Sequence, residues 1–314
     1  MSGLRVIFWK ELADNLGSRR FLILFIIICL TAISIVYMLS QNIGEYLDEI
    51  SSDYIFLHLF TFSAGTLPSF IFFVNFFGPI IGIIFGFDAI NSERSQGTIS
   101  TVLSQPIYRD TLINGKFLAG LTTIAVMLTS IIMIILGLQL IIFGIAPSLE
   151  EILRMIIFFL ASVVYIGFWM SMAILFSIIF RKTTTSILLS LMIWIFFSFF
   201  ILMISSVIAD QIAPLNQQNY TLEMLIKNDS IKRMIEHVSP AILFQEISTA
   251  ILNPLARAFD ISSLIKAESL IYSPLPLKQS LLVIWPQFVG LMCLMVTCFA
   301  ISYITFMRQE IRST

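Results

Sequence analysis

The chain has 314 residues, of which 58% are hydrophobic and 12% charged. A soluble domain devotes about a quarter of its residues to charge, so this composition excludes an ordinary soluble globule and belongs with multi-span membrane proteins. The formal net charge is −1, with no basic stripe to hold nucleic acid, and Cys29, Cys293 and Cys298 all sit in apolar runs without metal-ligand or disulfide-framework spacing.

Residues 1–20 form the first unit. Leu4, Ile7, Phe8, Leu12 and Leu16 recur at helical spacing opposite Lys10, Asp14 and Asn15. The pattern predicts a cytoplasmic amphipathic helix in the membrane interface, with Trp9 at the headgroup layer. Because the first apolar run follows this segment and is too long for a signal-peptide core, no cleavable signal is expected.

A helix needs about twenty mainly apolar residues to cross the hydrocarbon. Six runs qualify: 21–40, 68–90, 117–144, 155–180, 186–208 and 281–306. An even number puts both termini on one side. Arg5, Lys10, Arg19, Arg20, Arg94, Arg109, Lys116, Arg181, Lys182, Arg308 and Arg312 flank the spans there, whereas the opposite short loops hold Asp48, Glu49, Asp53, Glu150 and Glu151 with Arg154 their single basic residue. The positive-inside bias therefore predicts cytoplasmic termini. The link 209–280 also carries basic residues, but long loops translocate largely regardless of charge. The expected organisation is thus 1–20, an interface helix; 21–208, spans one to five with a loop at 91–116; 209–280, an extracytoplasmic helical segment; and 281–314, span six and a cytoplasmic tail.

The 91–116 loop is the least apolar stretch of the first two-thirds of the chain. Gly97 and Thr98 can start a short surface helix with Ile99, Val102 and Leu103 on one face, and Pro106 stops it. Asp110 or Thr111 then caps the helix that becomes span three. Such a helix is suited to docking a soluble partner, although an ordinary interfacial connector has the same periodicity.

Glu93, Gly97-Thr98-Ile99, Leu103-Ser104-Gln105-Pro106-Ile107-Tyr108-Arg109 and Gly115-Lys116 resemble the E…GT…LLS.PI.R…GK signature of six-span exporter permeases of ABC transporters, the type-two ABC permease family. Trp9-Lys10-Glu11-Leu12 with Arg19-Arg20 is similar to that family's N-terminal helix. The resemblance implies a plasma-membrane permease that works with a separate ATP-binding cassette subunit and a second permease copy, the same or similar. By that resemblance the subunit docks on a coupling helix carrying Glu93, Gly97, Thr98, Ile99, Val102, Leu103, Ser104, Pro106 and Arg109, with Trp9, Lys10 and Glu11 of the N-terminal helix close by. ATP and Mg would belong to that partner and no cofactor to this chain. In agreement, the chain lacks the G-x-x-x-x-G-K-[ST] phosphate loop, since Asp110 stands where the first glycine would precede Gly115-Lys116.

No ionisable residue is expected at mid-membrane: Asp88 lies near the cytoplasmic end of span two and Arg154 near the outer end of span four. This argues against an ion-coupled carrier. No catalytic constellation points to an enzyme, and His58 and His237 read as solvated loop residues. The polar features of the spans are Asn75, Gly78 and Pro79, then Thr129 and Ser130, Trp194 and Ser198, and Pro286 and Gln287. Isolated small polar residues usually serve helix packing, whereas Asn75 and Gln287 are costlier to bury and point to a partner helix or cavity. Pro79 and Pro286 are candidate hinges. Phe72, Phe73, Phe76 and Phe77 in span two, and Phe196, Phe197, Phe199 and Phe200 in span five, make two aromatic patches. In the family these spans border the translocation path, which implies an apolar or amphipathic substrate and the path residues Asn75, Phe76, Trp194, Ser198 and Gln287; lipid-facing phenylalanine is the plainer reading.

Two outer segments remain. The loop 41–67 has an amphipathic run around Tyr54–Phe62. In 209–280, Thr221 can cap one helix and Ser230 a second with Ile231, Met234, Ile235 and Val238 on one face. Ser239-Pro240 starts a third, with Leu243, Ile247, Ala250 and Ile251 inward and Pro254 after it, and Asp260 a fourth with Ile261, Leu264 and Ile265. Asn219 and Asn228 begin N-x-[ST] sequons. The fold class expected is an all-α integral membrane protein with six transmembrane helices, an N-terminal interface helix, a short cytoplasmic coupling helix and a helical extracytoplasmic cap. The function expected is an ABC exporter permease. The alternative is an ATPase-coupled, non-transporting membrane module that acts on an extracytoplasmic partner through that cap.

Overall fold

A computed structural model describes residues 3–41, 54–61, 69–95, 97, 108–144, 146–214, 221–254 and 275–309, and all regular structure among them is helical. Helix α1 is Gly3–Leu16, α2 Arg19–Gln41, α3 Ile55–Thr61, α4 Phe70–Gly86, α5 Asn91–Ser95, α6 Arg109–Phe143 and α7 Leu149–Ile179. Helix α8 covers Thr183–Ile212 with a π-turn at Phe196–Phe200; α9 is Leu222–Glu236, α10 Pro240–Leu252 and α11 Leu277–Arg308. Six helical segments are long and apolar enough to cross a membrane: α2, α4 with α5, α6, α7, α8 and α11.

The centre of the bundle is α7. It starts on a capping box, in which Ser148 Oγ accepts from Glu151 N and the Glu151 carboxylate accepts from Ser148 N. Tyr165, Trp169 and Ala173 are fully buried along it. Helix α4 can lie directly on α7 because Gly78, Gly82 and Gly86 recur at four-residue spacing, the small-residue stripe that lets membrane helices approach closely. A Cβ at Gly82 would stand 2.5 Å from the Ile166 carbonyl oxygen, and one at Gly86 2.5 Å from that of Met170.

Helix α1 packs on the first part of α6, where a Cβ on Gly115 would be 2.6 Å from Ile7 Cγ2. Ile7 and Leu12 are buried, Leu4, Phe8 and Leu16 half-buried, and Trp9, Lys10 and Asp14 exposed, as the periodicity requires. Asn15, expected on the polar face, is half-buried at its edge. Ser18 Oγ accepts from Phe21 N at 3.1 Å and starts α2. Helix α6 begins at Arg109 with Tyr108 in the cap position and no side-chain cap bond, so neither Asp110 nor Thr111 caps it.

The segment after α8 turns back along the bundle. Helix α9 runs antiparallel to the second half of α8: Asn228 Nδ2 donates to Asp210 Oδ1 at 3.0 Å and to the Ala213 carbonyl at 2.8 Å, and Ser205 Oγ donates to Glu236 Oε1 at 2.9 Å. Thr221 caps α9 as expected, but Ser230 caps nothing. Its hydroxyl bonds back to the Lys227 carbonyl and the helix runs straight through, because Lys227, Ile231 and Met234 sustain helical propensity across it. Asn228 is buried in this packing, which removes its sequon from the surface.

Helix α10 begins at Pro240, and Leu243, Ile247, Ala250 and Ile251 are buried. Ser239 Oγ donates to the Phe197 carbonyl in the π-turn, halfway along α8. The Phe244 ring stacks on Tyr165, centroids 4.4 Å apart, so α10 is inserted among spans two, four and six. The fourth helix expected from Asp260 lies outside the described residues.

Candidate functional site

Both stems of the 91–116 loop are clamped at the end of the bundle that holds α1 and Gln309. Lys116 Nζ, about two turns into α6, lies 2.9 Å from Glu11 Oε1 on α1 and 2.8 Å from Glu93 Oε1 on α5. Its side chain is 9% exposed, and those of Glu11 and Glu93 are 16% and 14% exposed. One cation thus joins the residue leaving span two, the residue entering span three and the N-terminal helix. Charge-assisted bonds at this burial are short and directional, so the three elements are held as one piece.

Further bonds tie the same stems to the other spans. Arg20 Nη1 on α2 lies 2.6 Å from Asp88 Oδ2, with its guanidinium over the Phe87 ring. Ser177 Oγ near the end of α7 accepts from the backbone N–H groups of Ile90 and Asn91, at 3.0 and 3.1 Å. Arg94 donates to the Ile178 carbonyl and to Gln309 Oε1, Gln309 Nε2 donates to the Ile178 carbonyl, and Arg109 Nη1 donates to the Gln309 carbonyl at 3.0 Å. The ends of α2, α7 and α11 are therefore all bonded to the base of this loop.

Gly97 has φ +70°, and its N–H bonds to the Arg94 carbonyl at 3.1 Å. It follows α5 in the left-handed conformation that favours glycine, and the short helix expected to start at Gly97 and Thr98 lies outside the described residues. Thr98, Ile99, Val102, Leu103, Ser104 and Pro106 lie outside the described residues. Of the N-terminal helix residues, Glu11 faces the loop base while Trp9 and Lys10 are exposed.

The candidate path residues divide into two groups. Phe76 on α4 packs edge-on against Trp194 on α8, centroids 5.3 Å apart, and reaches Phe199 at 6.5 Å. Asn75 Oδ1 and Trp194 Nε1 are buried without a hydrogen-bond partner, and Ser198 is half-buried in the π-turn. Gln287 belongs elsewhere: its Nε2 donates to Glu246 Oε2 on α10 at 3.1 Å. His237, read as a solvated residue, is half-exposed but engaged, with Nε2 3.0 Å from Glu246 Oε1.

Two arrangements were missed in the sequence. The π-turn has no signature beyond its phenylalanine density. Arg154, taken simply as a residue near a helix end, is fully buried. It donates to Glu150 Oε1, to the Ile251 and Leu275 carbonyls and to Ser280 Oγ, and lies over the Tyr54 ring. A solitary basic residue among the acids of an outer loop was the available signal.

A family model described as "ABC-2 family transporter protein" matches residues 5–311. The chain is also similar to the "Probable ABC transporter permease protein NosY" of Pseudomonas aeruginosa, 29% identical over 109 residues. That alignment spans 35% of this chain and 35% of the relative.

Proposed function

The chain belongs to the ABC-2 family of transporter proteins, and from that premise we propose that it is the membrane-spanning permease subunit of an ABC transporter. A separate ATP-binding subunit docks on the 91–116 loop and supplies the energy. Both termini and that loop face the cytoplasm, the assembly contains a second permease copy, and the cargo is an apolar or amphipathic substance moved outward.

The observation that carries this reading is the Glu93–Lys116–Glu11 clamp. A subunit pushing on the loop would move α1 and the ends of the spans together, because both loop stems are bonded to them. A freely hinged connector would absorb the push. The aromatic faces of α4 and α8, joined through Phe76 and Trp194, support an apolar path beside span five. The insertion of α10 among the spans favours transport over the alternative of a module that works through a projecting outer cap.

Purification of the tagged chain in mild detergent tests the reading. A stoichiometric ATP-binding protein should co-purify, and Gly97→Arg with Leu103→Asp should release it and abolish coupled ATPase activity while the spans still insert. Full coupled activity in that double variant would remove the docking assignment.

A further inference from the structure

Helix α8 changes character at its π-turn. The Ile201 N–H bonds to the Phe196 carbonyl, five residues back instead of four, so the turn holds one residue more than an α-turn. Such turns are rare inside helices and concentrate at functional sites. The local sequence does not impose this one: Phe-Phe-Ser-Phe-Phe contains neither proline nor glycine. A bond from outside the helix marks it instead. Ser239 Oγ donates to the Phe197 carbonyl at 2.8 Å. Ser239 occupies the N-cap position of α10, where a serine hydroxyl ordinarily accepts from its own helix, yet it makes no such cap bond. Its hydroxyl serves span five.

The half of α8 beyond the turn, Ile201–Ile212, packs on α9, and among the described residues the two make few contacts with other helices. Asn228 bonds to the Ala213 carbonyl and Glu236 to Ser205, which makes the pair one hairpin. This hairpin is attached at two places, the π-turn and the link 237–239 between α9 and α10. The Ser239–Phe197 bond ties those two places together. It lies about 21 Å along α8 from Thr183, near the middle of the membrane. Beyond it a cleft of 330 Å³ separates α9 from α10, bridged by His237 Nε2 and Arg233 Nη1 at 3.0 and 3.6 Å from Glu246 Oε1. Helix α10 itself is fixed to the bundle, with Phe244 stacked on Tyr165 and the Ile251 carbonyl held by Arg154.

We propose that the π-turn and the 237–239 link form a latched hinge, and that the hairpin of Ile201–Ile212 with α9 is a gate which swings away from α10 when the Ser239 hydroxyl releases the Phe197 carbonyl. Released, the π-turn relaxes to α. One residue is then taken into the regular helix, and everything beyond it rotates by about 100° and advances about 1.5 Å. Helix α9, packed at the usual 8–10 Å from the α8 axis, is carried through about 14 Å. The bridges to Glu246 part, and the outer half of the bundle opens between α8 and α10. Phe199, inside the turn, lies 6.5 Å from Phe76 on α4, so the same change draws span five from span two. The first half of α8 stays packed on α7. This hinge needs neither an ATPase nor a cargo, so it stands or falls apart from the docking assignment.

Pulsed electron paramagnetic resonance on the full chain in lipid nanodiscs measures the swing. Spin labels go on Met234→Cys of α9 and Leu282→Cys of α11, both exposed, with Cys29, Cys293 and Cys298 replaced by alanine. The parent should show one dominant distance. Ser239→Ala should raise a second population, displaced by up to about 14 Å, by about fivefold, as expected for the loss of one hydrogen bond. Deleting Ser198 removes the extra residue and leaves the far half of α8 in its present orientation. That chain should keep the parent distance alone, and adding Ser239→Ala to it should change nothing. A control pair at Leu160→Cys on α7 and Leu188→Cys on the first half of α8, both exposed, should hold one distance throughout. Ser239→Ala read against that control decides even where the deletion folds poorly. A parent-like distribution in Ser239→Ala, an equal shift of the control pair, or a second population that survives the deletion would overturn the hinge.

Discussion

Replacing Lys116 with Met would leave Glu11 and Glu93 facing each other across the space that Lys116 Nζ now fills, at 2.9 and 2.8 Å from their oxygens. Both carboxylates are largely shielded from water, so neither is well screened. Removing one partner of a buried ion pair costs about 3–5 kcal/mol, mainly through the charge left behind. Because these carboxylates keep some exposure, about 3 kcal/mol is the expected loss, equivalent to roughly 6–12 °C in unfolding temperature. Glu11→Gln alone should cost less, since Lys116 retains Glu93. The triple variant Lys116→Met, Glu11→Gln, Glu93→Gln removes all three charges together and should return to within about 1–2 kcal/mol of the parent. Thermal unfolding in detergent micelles, followed by intrinsic tryptophan fluorescence, gives the stabilities. Coupled ATPase activity, measured on the same samples, should be lost in the triple variant despite its recovered stability. A neutral Lys116→Met, or a triple variant as unstable as the single one, would refute the clamp.

Other features allow equally direct checks. Gly82→Ala or Gly86→Ala forces a methyl group to within 2.5 Å of a backbone carbonyl on α7 and should destabilise by about 1–3 kcal/mol, seen as a lowered melting temperature and poorer monodispersity. Arg154→Ala removes the donor to the Ile251 and Leu275 carbonyls and to Glu150 Oε1; a loss of about 3 kcal/mol or more is expected, with faster amide hydrogen exchange in α10, and unchanged exchange there would show that Arg154 does not hold this helix. Asn228→Ala should cost about 1–3 kcal/mol by stranding its partners, and the parent chain produced in a glycosylating host should carry no glycan at position 228 by mass analysis.

Much of this protein was legible in one dimension. Whether a run of twenty residues can leave water depends on composition alone, so the spans emerge from the apolar runs, and the caps at Thr221 and the start at Pro240 follow from local backbone chemistry. Glu93 and Gly115-Lys116 stood out through their resemblance to a family signature, and the four-residue spacing of Gly78, Gly82 and Gly86 was there to be read as a packing stripe. What folding alone decided is which of these residues meet. Lys116 reaches Glu11 across 105 positions, Gln287 joins Glu246 on α10, and Asn228 is buried against Asp210. Hydrophobicity is a sum over residues and survives projection onto the sequence. Pairing of charges and polar groups depends on distances of a few ångströms between segments far apart in the chain, and those exist only once the helices have packed.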